Sequence, residues 1–151
     1  MFLSGFSRSE STKKNICQNL VAFMSMDGNI DSLEREQIIS IYNETFGSYE
    51  LNNLALDMLS NVSKDMVKKS LLEILNSYDF TNDNIKIKQF IFELLSCALC
   101  NGKYDNDEKE VIEYIASNLK IDFSILKEME DIINTIFAVD KRMNTVILGV
   151  N

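Results

Sequence analysis

The chain has 151 residues, 15 lysines and arginines against 23 aspartates and glutamates, and no histidine or proline. Nearly half of it is apolar, enough at this length to bury the core of one compact domain spanning residues 1–151. A net charge of −8 repels phosphate backbones and excludes nucleic acid as an expected partner, and without histidine the chain supplies no Ser-His-Asp, Cys-His or histidine–metal chemistry.

No stretch reaches the roughly 20 apolar residues of a membrane helix. The nearest, FIFELLSCALC at 90–100, is short and contains Glu93. Met1-Phe2-Leu3 stops at Ser4, far short of a secretory leader, so the cytoplasm is the expected compartment, without direct membrane insertion.

Apolar spacings of three and four dominate throughout, and the absence of proline favours unbroken helices. The spacing of Ile16, Leu20, Phe23 and Met24 predicts a first helix over about 10–26. Ile38, Ile41, Tyr42 and Phe46 predict a second over about 32–46, closed by Gly47. Ser48 caps a third, carrying Leu51, Leu54, Ala55, Met58 and Leu59. Ser63 caps a fourth that runs to about residue 77, and Thr81 or Asn82 starts a fifth that ends near residue 100.

The fifth helix is apolar around most of its circumference, with one polar stripe of Lys86, Gln89, Glu93 and Ser96, and it is expected at the centre of the bundle. Helices six (about 106–119) and seven (about 123–137) follow Asp105 and Asp122 as caps. The tail TVILGVN either folds back on the bundle or leads onward. The expected fold is all-α: a single seven-helix bundle.

Residues 20–59 align without a gap on 94–133, at a constant offset of 74 (94 − 20). Leu20 falls on Leu94, Gly28 on Gly102, Asp31 on Asp105, Glu34 on Glu108 and Ile38 on Ile112. That period exceeds any single solenoid repeat, so it reads as an internal duplication around the central apolar helix. Cys97 and Cys100 fall on Phe23 and Met26, which favours a packing role for them. Their CxxC spacing lies near a helix end that lacks the N-terminal dipole a redox pair uses.

The duplicated phrase is acidic: MDGNIDSLEREQII at 26–39 and CNGKYDNDEKEVI at 100–112. Glycine closes one helix; Asp31 or Asp105 caps the next, with Glu34 or Glu108 completing a capping box. Helix capping alone explains those four residues. Asp27 is different, because a carboxylate at a helix C-terminus opposes the dipole. Asp27, Asp31 and Glu34 lie within eight residues, and clustered carboxylates repel unless a cation or basic group sits among them. Asp105, Asp107 and Glu108 form the second candidate cluster. Oxygen-only ligands point to Ca²⁺ or Mg²⁺ over Zn²⁺. An EF-hand is excluded, since Ser32 and Ile38 occupy the positions that need glycine and a bidentate glutamate.

A helix ending in MDG, then NIDSLEREQII, with NGKYDNDEKEVI beyond an apolar helix, resembles the tellurite-resistance TerB family and TerB-like domains over nearly the whole chain. The resemblance implies a seven-helix, non-catalytic binding module with an acidic surface for divalent metal. It also implies a cytoplasmic complex linked to tellurite or other chemical stress, and a protein partner such as a membrane-associated TerC-type protein. Carried onto this chain, the family's acidic positions are Asp27, Glu34 and Glu108; the second copy departs at Asn101, where an aspartate is expected. TerB-like domains also occur in DnaJ-type co-chaperones, but this chain has no HPD signature. The alternative is a purely structural protein-interaction domain, of scaffold or co-chaperone type, without metal.

Overall fold

The structure, a computed structural model, describes residues 10–26, 32–33, 36–37, 40, 63–77, 80 and 83–149. Among them the chain is all-α, with no strand. Five helices are defined: α1 (Glu10–Met24), α2 (Lys64–Leu75), α3 (Asn84–Leu99), α4 (Asn106–Asn118) and α5 (Phe123–Leu148). The predicted second and third helices lie outside the described residues except for Ser32, Leu33, Glu36, Gln37 and Ser40, all five of which are helical.

Local chemistry sets the helix starts. The Ser63 hydroxyl accepts from the Met66 backbone N–H at 3.2 Å, and the Asp105 carboxylate accepts from that of Glu108 at 2.8 Å. Each satisfies a donor that has no partner inside its own helix. The start of α3 differs from expectation. Its cap is Asp83, whose carboxylate accepts from the Lys86 N–H at 3.1 Å, not Thr81 or Asn82. Asp122 occupies the cap position of α5 with extended backbone but makes no side-chain capping bond.

As expected from its apolar circumference, α3 is the central helix: it packs on α1, α4 and α5 and buries every residue from Phe90 to Leu99. The α2 helix packs on α1 and α4. Phe80 meets Phe90 edge-on with ring centroids 5.6 Å apart, the geometry that places a positive ring edge against a negative face. Two members of the predicted polar stripe are inside the core. Ser96 returns its hydroxyl to the Phe92 carbonyl at 2.9 Å, and Glu93, only 1 % exposed, is engaged by its surroundings. No buried side-chain nitrogen or oxygen among the described residues lacks a hydrogen-bond partner.

The last helix corrects the expected boundary. It does not end near residue 137 but continues to Leu148, where Gly149 closes it at φ +64°. Asp140, Lys141 and Arg142 interrupt the apolar pattern without breaking the helix, because nothing before Gly149 disfavours helical backbone. Leu126 and Ile133 anchor its first half in the core. No described helix is long and apolar enough to cross a membrane.

Candidate functional site

The second acidic turn joins α3 to α4. After Leu99 the chain turns through Gly102, whose φ of +75° is open to glycine at little cost and whose N–H bonds the Leu99 carbonyl at 3.0 Å. Asn101 folds its side-chain oxygen onto the Lys103 N–H at 2.9 Å, the local turn bond this residue type favours. The carbonyl oxygen that a cation would share is therefore already accepting a hydrogen bond. The chain then extends through Asp105 into α4.

The three candidate ligands of this turn have separate partners. The Asp105 carboxylate caps α4. Asp107, more than half exposed, points to Lys64 on α2 with Nζ 3.4 Å from its carboxylate. Glu108 is 8 % exposed, buried with the core and engaged there. A cation needs converging oxygens, and these three carboxylates serve a cap, a neighbouring helix and the core. Among the described residues no three His, Cys, Asp or Glu side chains come close enough to hold a metal ion. Asp27, Asp31 and Glu34 of the first turn lie outside the described residues.

The surface beside the turn carries chemistry that spacing did not reveal. Lys64 Nζ lies 2.9 Å from Glu110, and Lys68 Nζ also lies 2.9 Å from Glu110 and 4.9 Å from the centre of the Tyr114 ring. Lys64 and Lys68 stand one turn apart on α2, as Glu110 and Tyr114 do on α4, so two i, i+4 pairs face each other. Donating to the Glu110 carboxylate, and then to that of Asp107, raises the Lys64 pKa, and accepting from Lys64 and Lys68 lowers that of Glu110. An open groove continues from this bridge, lined by Asp65, Lys69, Leu72, Glu73 and Tyr114. The sequence signal for it was present only as two separate helical spacings, with Lys64 and Asp107 43 positions apart.

Tyr104, in the turn itself, is half-buried; burial, then Glu130, Glu113, Glu108 and Asp105, push its hydroxyl well above its ordinary range. Cys97 and Cys100 behave as packing residues. Cys97 is buried and its thiol is pushed well up, first by burial and then by Glu93, while the Cys100 thiol bonds back to the Cys97 carbonyl. Both are free.

No family profile, curated protein or solved structure matches the chain.

Proposed function

We propose that this chain is a TerB-like, non-enzymatic binding module that presents an acidic face to a basic region of a protein partner, with the first turn as its place for a divalent cation. The observation that carries the reading is the acidic helix–turn–helix phrase written twice, in a chain of net charge −8. In the second copy Asp107 and Glu110 already hold two ammonium groups, the chemistry a basic partner segment would offer. The cation belongs at the first turn. There Asp27 opposes a helix dipole and a bound ion offsets that repulsion, with Asp31 and Glu34 as further oxygen donors. Such a donor set selects Ca²⁺ or Mg²⁺.

In this reading the five helices belong to a seven-helix bundle, the other two falling at about 32–46 and 48–59. The module acts in the cytoplasm, in a tellurite or chemical-stress complex whose partner is a TerC-type membrane-associated protein. One observation favours a second, metal-free reading: the capping bond of Asp105 and the ion pair of Asp107 give those acids purely structural duties.

A thermal melt of metal-stripped protein separates the two. A ligand that binds only the folded state at a hundredfold excess over its Kd stabilises by about 2.7 kcal/mol. The wild type is therefore expected to melt several degrees higher with Ca²⁺ or Mg²⁺, and the Asp27→Ala/Glu34→Ala variant to lose that increment. No increment with Ca²⁺, Mg²⁺, Mn²⁺ or Zn²⁺ at millimolar concentration leaves the metal-free scaffold as the reading.

A further inference from the structure

The second half of α5 projects beyond the core, and we infer that it is an interface for a second copy of this chain, packed antiparallel. The helix carries two apolar stripes. Leu126 and Ile133 are buried on the side of the helix that packs on the core. The other stripe runs Ile125, Met129, Ile132, Ile136, Val139, Met143 and Val146, at alternating steps of four and three; Ile125, Met129 and Ile136 are partly buried against the chain's own core, and the rest are exposed. That is a heptad seam in which every a and d position is apolar for three heptads, a period that winds a helix against another helix of the same pattern.

Its outer members are open: Ile132 is 45 % exposed, Val139 57 %, Met143 49 % and Val146 76 %. Ile147, 70 % exposed, extends the same patch. At such exposures these five side chains leave roughly 500 Å², the size of the largest patch of a typical monomer, which is often functional, and a substantial part of the about 800 Å² per partner of a standard dimer.

Charge selects both the partner and its direction. The first half of α5 carries Glu128, Glu130 and Asp131 against Lys127; the second half carries Lys141 and Arg142 against Asp140. Antiparallel pairing about a two-fold axis near residues 136–139 sets each acidic half beside the other copy's basic half. Parallel pairing would match acid with acid. A single surface that is complementary to itself under a two-fold is what a closed dimer requires. In this arrangement Met129 of one copy lies level with Val146 of the other, so each projecting end packs beside the part of α5 held by its partner's bundle.

Sedimentation equilibrium of the full chain, from about 1 to about 300 µM so as to span weak to firm association, tests this. The expected result is a species of twice the 17.3 kDa chain mass, with its dissociation constant raised at least about 100-fold in Val139→Glu and Met143→Glu. Both positions are exposed, so both variants should keep wild-type circular dichroism. A monomer at every concentration overturns the proposal, as does a dimer that both variants leave intact. Cysteine cross-linking fixes direction: a mixture of Met129→Cys and Val146→Cys chains should join, whereas Val146→Cys joining to itself overturns the antiparallel arrangement.

Discussion

Asp105 and Asp107 are two residues apart and both acidic, yet they do unequal work. Removing the Asp105 carboxylate leaves the Glu108 N–H of the first turn of α4 without its capping acceptor, at a cost typical of an N-cap, about 1 kcal/mol. Asp105→Ala is expected to lower Tm by about 3 °C in a chain of this size, and Asp105→Asn, which still accepts that bond, to restore most of it. Asp107→Ala removes an exposed ion pair, and its effect should lie within about 0.5 kcal/mol. Urea melts of the three variants check the order; an Asp107 effect equal to that of Asp105 would show that the turn is held by charge and not by capping. Cys97 gives a pH prediction of definite sign. Its folded pKa is raised above the ordinary 9.0, so its contribution is fully present below pH 9 and is lost as pH rises, because only the unfolded chain ionises. Tyr104 acts in the same direction above its ordinary 10.0. Stability should fall from about pH 9 upward, less steeply in Cys97→Ala, and native Cys97 should resist a thiol reagent that reacts with it in denaturant.

Among the elements, α3 carries the core and α5 does not depend on it along its full length. Phe90 is wholly buried against Phe80, so Phe90→Ala is expected to cost about 3–5 kcal/mol, through lost burial and the cavity left behind. A comparable truncation late in α5, Val146→Ala, should change the stability of dilute monomer by less than about 0.5 kcal/mol. The position of α3 was legible from sequence because an almost wholly apolar helix has only one stable place in a bundle. Ser63 and Asp105 were legible because a cap and the backbone N–H that donates to it lie three residues apart. Thr81 and Asn82 were plausible caps on residue type, but Asp83 stands one place nearer the helix and its carboxylate reaches the open N–H. The end of α5 was not legible because its core contacts run out at Phe137, while the helix continues through exposed apolar residues from Val139 to Leu148. Core-facing periodicity reports burial, and an exposed helix gives no such report. The bridge from Lys64 and Lys68 to Asp107 and Glu110 was illegible for another reason: it depends on how α2 and α4 cross, which neither helix encodes alone.

For the molecule as a whole, 23 acidic against 15 basic side chains make the folded chain repel itself, and salt should relieve part of that repulsion. Raising NaCl from about 0.01 to 0.15 M shortens the Debye length from about 30 to about 8 Å. Tm is therefore expected to rise modestly, in Asp27→Ala/Glu34→Ala as well but by less, because screening acts on the whole charge and that variant's net charge falls to −6 (−8 + 2). This separates general electrostatics from a site. Millimolar Ca²⁺ contributes little ionic strength, so once NaCl is fixed at 0.15 M any further rise comes from specific binding. A rise confined to the wild type places the ion at the first turn. An equal rise in both proteins moves the ion elsewhere, and the second turn is a poor home for it: Asp105, Asp107 and Glu108 are divided among a cap, a lysine and the core. Asn101→Asp sharpens the contrast. It restores the acidic letter missing from the second copy but sets a charge against the C-terminal end of α3, and should cost about 0.3–1 kcal/mol. If Ca²⁺ then recovers that loss, the second turn can gather its carboxylates around an ion; if it does not, the two copies of the phrase have diverged in use, one available to a cation and the other closed upon its own helices.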